Sequence, residues 1–147
     1  MNETILCHVA HNDIQMRLCL KIREEVFITE QSVPRDIEID EHDILTDPIC
    51  KHFLLIVNGM PAGTARAITL EDESIKIQRV AISKKYRGLG LGKILINEVE
   101  AYYSASKYVL GAQEYAIPFY EKCGYVVCSG IYMDANIRHK NMEKTIA

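Results

Sequence analysis

Residues 86–95, YRGLGLGKIL, set Gly88, Gly90 and Gly92 at alternate positions between Arg87 and Lys93. Glycine is costly inside a helix or strand, so the run reads as a turn. A helix follows, because KILINEVEAYYSA places Ile94, Leu95, Val99 and Tyr102 on one stripe. A glycine-rich turn that feeds a helix start is an anion site. The first helical amides lack internal partners, the helix dipole favours negative charge, and missing side chains let a phosphate approach. Arg87 and Lys93 add charge-assisted bonds. The chemistry expected of Gly88, Leu89, Gly90, Leu91 and Gly92 is therefore capture of a phosphate or pyrophosphate by backbone N–H groups. A Walker loop would end in Gly-Lys-Ser/Thr, and the sequence here is GKI. A dinucleotide turn would read GxGxxG in a first βαβ unit, and the sequence here is GxGxG. A turn with no ligand is the plain alternative, which Arg87 and the immediate helix weigh against.

Other candidate groups lie elsewhere. Glu38, Asp40 and Asp43 fall in an acidic stretch, residues 31–50, interrupted by Pro34 and Pro48. It reads as an irregular loop with at most one short helix, and a connection this long is usually functional or mobile. These carboxylates suit binding or deprotonating a cationic amine; the bland alternative is a solvated loop. Tyr120 offers a phenol, with Phe119 beside it expected in the core. His139, in IRHKN between the last two strands, offers a side chain that ordinarily titrates near neutral pH. Arg66 and Arg79 fall on strands expected to be buried and need carboxylate partners, for which Glu25, Glu38 and Asp40 are the candidates. The five cysteines show no CxxC and no regular spacing, which favours reduced, mostly buried thiols. No metal-ligand spacing is present, and no metal is expected.

These groups must be held by elements. Residues 4–10 suit a strand. An amphipathic helix follows, capped by Asn12 or Asp13, with Ile14, Leu18, Ile22 and Val26 as its apolar stripe and Arg17, Lys21, Arg23 and Glu24 between them. After the acidic loop, Asn58-Gly59 joins two strands as a hairpin. Residues 75–83 form another strand whose phase breaks: Ile75 and Ile77 are odd, Val80 and Ile82 even. A β-bulge near Gln78-Arg79 repairs the phase; a strand buried on both faces would need none. A strand at 107–113, a short helix with Pro118 in its first turn and Gly124 as its stop, and two last strands complete the chain. The order implies an α/β (α+β) fold with a mixed, mostly antiparallel sheet of about six to seven strands flanked by helices.

With 147 residues, 48% apolar and 25% charged, and no linker or repeat, residues 1–147 read as one domain. A net charge of −3 argues against nucleic acid as the main partner. The longest apolar run is FLLIV, and the start lacks a signal-peptide layout, so a cytoplasmic protein with no membrane partner is expected.

RGLGLG matches the R/Q-x-x-G-x-G/A signature of GCN5-related N-acetyltransferases (the GNAT superfamily), with Arg87, Gly90 and Gly92 at its defining positions. RVAISKKYRGLGLGKILINEVE resembles that family's central strand, turn and helix, and AIPFYEKCGY its later helix and strand. IREEVFITEQSVP, EIDEHD, GTAR, AQEYAIPFYEKCGY and IRHKNM are similar to the small bacterial ElaA-like branch. The resemblance implies that the turn binds the pyrophosphate of acetyl-coenzyme A. It implies that the strand before the turn parts from a parallel neighbour, with pantetheine in the gap. Val80, Ala81 and Ile82 would then offer main-chain groups, and residues 110–113, ending in Gln113, the opposite wall. A bulge would aim the Val80 amide at the thioester oxygen. The resemblance matches Tyr120 to the acid that protonates the leaving thiolate.

Many family members carry a carboxylate base on the central strand; here the position is Gln78, which cannot accept a proton. Glu38 and Asp40 then stand as candidate bases, with Asp43, Arg79 and His139 at the acceptor. The leading expectation is an N-acetyltransferase acting on a primary amine, a small cation or a peptide amine, by direct attack in a ternary complex. An acyl-enzyme on Cys123 is disfavoured, since that residue ends a helix where the dipole opposes a thiolate. The alternatives are an acyl-coenzyme-A sensor without turnover and a different phosphate ligand on the same turn. A homodimer is the family-level expectation.

Overall fold

The computed structural model describes residues 3–146. Strands β2 (Cys50–Val57) and β3 (Met60–Thr69) form the hairpin expected at Asn58-Gly59. Both turn residues take positive φ, 50° and 80°, which a two-residue hairpin turn requires. β1 (Ile5–Val9) lies antiparallel to β2, and β4 (Ile75–Ile82) antiparallel to β3. β5 (Lys107–Gln113) runs parallel to β4, and β8 (Ile137–Thr145) antiparallel to β5. β6 (Val126–Val127) and β7 (Tyr132–Asp134) pair with the other edge of β8. The sheet has eight strands, more than the six to seven expected. The excess arises after Tyr125, where a tight turn at Ala135-Asn136, both at positive φ, makes three strands of an expected two.

Helices cover both faces. α3 (Leu91–Tyr103) and α4 (Ile117–Lys122) pack on one, where Leu95, Ile96, Val99 and Tyr120 meet Phe53, Leu55 and Ile77. α1 (Asp13–Arg23) packs on the other with Cys19 and Ile22 against Leu54 and Ala81. Asn12 is the N-cap of α1, accepting from the Gln15 amide at 2.8 Å. FLLIV is buried on both faces, so β2 lacks alternation.

Two features of this half depart from expectation. The buried residues of α1 are Met16, Cys19, Ile22 and Arg23, with Val26 buried in the segment that follows, and Ile14 is 68% exposed. The chain then widens into a π-helical segment, Glu24–Glu30, before the short helix α2 (Arg35–Glu38). The wider turns bury Val26 and Phe27 together and bring Glu30 and Gln31 over the far side of the sheet.

β4 carries the bulge. Thr64 pairs with Ala81 and Arg66 with Gln78, so Ala65 alone faces Arg79 and Val80. Arg79 sits at φ 53°, unusual for so large a side chain. The extra residue restores the phase: Ile75, Ile77, Val80 and Ile82 all join the core under α3. β4 and β5 pair only through Ile75–Tyr108, Lys76–Val109 and Ile77–Leu110, and beyond those three rungs they part.

Candidate active site

The gap between the parted strands is a cavity of about 860 Å³. Val80, Ala81 and Ile82 form one wall, Gly111 and Gln113 the other, and Arg87, Gly88, Gly90, Leu91 and Gly92 close one end. Leu89 and Lys93 stand exposed outside that wall. The three glycines serve two purposes. Gly88 and Gly90 have φ of 78° and 76°, and a Cβ on either would meet nothing within 4 Å. They are needed for backbone conformation, and the space above them is open. Gly92 is ordinary helix; a Cβ there would lie 3.0 Å from the Phe119 ring. Its missing side chain seats α4 against α3. An open amide-lined corner continuous with a strand gap fits a coenzyme diphosphate with an extended pantetheine arm.

Arg87 is not a free cation. Its guanidinium grips both oxygens of Glu30 at 2.8 and 2.7 Å and donates to the Ile82 carbonyl at 2.9 Å. The neighbouring Gln31 exchanges two side-chain amide bonds with Gln113, at 2.8 and 3.2 Å. Glu25 accepts from the Lys84 amide at 3.0 Å, pinning the turn that precedes the glycines. The π-helical segment thus fastens to both walls of the gap. Sequence reading missed Glu30 and Gln31 as site residues, because a regular helix over 12–30 would turn them elsewhere.

Tyr120 lines the cavity and is 9% exposed. Among the described residues none accepts from its hydroxyl. Burial, with smaller contributions from Tyr115 and Cys123, raises its phenol well above the ordinary value, so it carries its proton throughout the physiological range. His139 is 8% exposed, lines the same cavity and stacks on Tyr132, ring centres 5.7 Å apart. Its Nδ1 lies 2.7 Å from the Ile137 carbonyl oxygen. A carbonyl only accepts, so Nδ1 carries hydrogen, and in the neutral ring Nε2 has the lone pair. No cysteine lines the cavity; burial raises the Cys123 thiol above its usual value and pushes Cys50 up to about 12.

The acidic loop forms a compact charge cluster instead of a solvated surface. Arg23 holds Glu38 at 2.8 Å and Asp43 at 2.6 Å. Arg66 grips Asp40 at 2.7 and 3.0 Å, reaches Asp43 at 3.2 Å, and donates to the Gln78 side-chain oxygen at 2.7 Å. Arg79 holds the other oxygen of Glu38 at 2.8 Å and donates to the carbonyls of Glu38 and Ile37. Three guanidinium groups thus meet three carboxylates. Of the three acids only Glu38 reaches the cavity wall. Burial disfavours ionised Asp43, but Arg23, the Asp40 amide and Arg66 outweigh it and hold its carboxyl at about 2. Burial wins at Glu38 and raises its carboxyl, against the pull of Arg23 and Arg79.

The expected pairing of Arg66 and Arg79 with Asp40 and Glu38 is present, while Glu25 serves the glycine turn. Arg23, expected between the apolar positions of the first helix, is 1% exposed. Its signal was available: it lies four residues from both Cys19 and Phe27, on their stripe. His52 meets the loop, with Nε2 3.0 Å from the His42 carbonyl oxygen. Among the described residues there is no group of three or more potential metal ligands. No described helix is long and apolar enough to cross a membrane.

The sequence matches the family model described as Acetyltransferase (GNAT) domain over residues 15–146. It is 39% identical over 131 residues to the uncharacterised protein YyaT of Bacillus subtilis, covering 87% of each chain. It is 36% identical over 140 residues to the uncharacterised N-acetyltransferase YjcF of the same organism, covering 92% of this chain and 96% of that one. The crystal structure of Escherichia coli ElaA superposes with a TM-score of 0.83 at 24% identity, covering 96% of this chain and 99% of that one.

Proposed function

Since the chain belongs to the GNAT family of acetyltransferases, and is by that membership an acetyl-coenzyme-A-dependent acyltransferase, we propose that it acetylates a primary amine by direct attack. The observation that carries the proposal is the strand gap beyond Ile77 and Leu110, opening onto the empty space above Gly88 and Gly90. Acetyl-coenzyme A supplies the activated acyl thioester. The amides of the glycine turn hold its diphosphate, with Gly92 and Leu91 starting the helix behind them. Val80, Ala81 and Ile82 face its extended arm from one side and Gln113 from the other. The Val80 amide, directly after the left-handed Arg79, is assigned to the thioester oxygen, where negative charge gathers as the amine attacks.

We assign the proton acceptor to His139. Its Nε2 takes the amine proton as the C–N bond forms. Tyr120 gives its own proton to sulfur as the C–S bond breaks. Glu38 and Asp40 remain in contact with arginines and serve to hold the bulge in place, with Asp43 beneath them. With those carboxylates neutralised, loop charge gives no reason to favour a strongly cationic acceptor. The site is proposed as the work of one domain, residues 1–147.

The test is thiol release from acetyl-coenzyme A in the presence of a panel of primary amines. Amine-dependent release is expected. Tyr120→Phe is expected to lower kcat by about 10²-fold with KM for acetyl-coenzyme A little changed. Binding of the coenzyme without release under any amine would overturn the catalytic assignment.

A further inference from the structure

One end of the cavity has apolar walls. Val26, Phe27, Val33 and Ile37 form it on the α1 side, and Ala135 and Ile137 on the β7–β8 hairpin. Val26, Phe27 and Val33 belong to the second core, and Ala135 and Ile137 pack against them. The hairpin tip therefore closes this end with hydrocarbon. Ile37, in α2, is 48% exposed, an isoleucine displayed at the rim.

The charges around this end cancel. Arg23, Arg66 and Arg79 neutralise Glu38, Asp40 and Asp43. Beside the cavity-lining Ile137 and His139, Arg138 pairs with Glu114 at 3.2 Å. Two ionic side chains on the cavity wall have no ion pair among the described residues: Lys76 and Asp134, one of each sign. A dication would find one carboxylate and one opposing lysine. A polyanion would find the reverse. A single amine carried on an apolar body loses least on entry, because its hydrocarbon replaces water against Phe27, Val33 and Ile37.

We infer that the acceptor is a monoamine with an apolar, branched or aromatic body and no second charge. The inference rests on the amine-acetylation assignment above. It predicts the order in which primary amines are used once acetyl-coenzyme A is bound. Phenethylamine and isoamylamine should exceed cadaverine and spermidine in kcat/KM by at least about tenfold, the scale of a well-filled apolar pocket. Phenylalanine, which adds a carboxylate to the same body, should also fall below phenethylamine.

The experiment measures thiol release for these amines in the wild type and in Ile37→Glu, with calorimetric titration of coenzyme A run on both proteins. Ile37→Glu changes an exposed position, so folding is preserved, and coenzyme affinity should stay within about twofold of wild type. Its preference for phenethylamine over cadaverine should fall at least about fivefold. Failure of the wild type to bind coenzyme A sinks the acetyl-transfer assignment itself. Coenzyme binding with no amine of the panel used sinks that assignment too, whereas use of spermidine, cadaverine or phenylalanine in preference to the apolar amines, or a preference unmoved in Ile37→Glu, overturns this inference alone.

Discussion

Gly90 and Gly92 lie two residues apart, and replacing each with alanine should fail in different ways. Gly90 is left-handed, and alanine there costs about 1 kcal/mol or more of backbone strain. The strained turn would also misdirect the amides proposed to hold the diphosphate. Gly90→Ala is expected to weaken coenzyme A binding by at least about tenfold, measured by calorimetry. Gly92 is helical, so alanine gains about 1 kcal/mol of helix propensity while its methyl presses on the Phe119 ring. That ring is 5.0 Å from the ring of Tyr120. Gly92→Ala should leave coenzyme affinity within about threefold and lower kcat, since the phenol moves with its neighbour. Composition marks all three glycines alike. Only positive φ at Gly88 and Gly90, and Phe119 above Gly92, separate their roles.

Among the elements, the acidic loop and β4 depend on each other. Arg79 holds a left-handed conformation that costs of order 1–3 kcal/mol, and Glu38 and two loop carbonyls keep it there. Asp43 binds from below through Arg23 and Arg66. A carboxyl held at about 2 contributes stability that is fully present above its unfolded value near 3.9 and is lost as pH falls toward 2. Asp43→Asn should therefore cost about 3 kcal/mol at pH 7, and progressively less below pH 4, in urea unfolding followed by circular dichroism. Glu38 carries the opposite sign: burial raises its carboxyl, so ionising it costs stability as pH rises through the raised value. Glu38→Gln should cost less than Asp43→Asn at pH 7.

Much of this level was legible in residues. The phase change from Ile75 and Ile77 to Val80 and Ile82 announces the bulge, and Asn58-Gly59 announces the hairpin. The π-helical segment was not legible, because Glu24–Glu30 satisfies an ordinary helical pattern equally well. Burial of Arg23 was legible in its spacing from Cys19 and Phe27, but neutrality of the loop was not, since it also takes Arg66 and Arg79 from β3 and β4. Clusters joined across four elements leave no local signature.

At the scale of the whole molecule, two four-stranded groups, β1 to β4 and β5 to β8, share one sheet through three parallel rungs. Below those rungs, the reciprocal amides of Gln31 and Gln113 tie the two sides across the cavity. A ligand that fills the gap adds contacts to both groups at once. At about 100 times its dissociation constant, coenzyme A should stabilise the fold by about 2.7 kcal/mol. For a domain of this size that is a rise in Tm of roughly 5–10 °C. ADP, which reaches only the glycine turn, should give a smaller rise in the same thermal-shift measurement.

The three-rung seam also marks where this polypeptide would tolerate a break. A cut in the turn at residues 104–106, between α3 and β5, would leave two fragments with complementary faces and few backbone bonds to join them. Their reassociation should tighten when coenzyme A is added, much as a keystone locks two half-arches that barely touch without it.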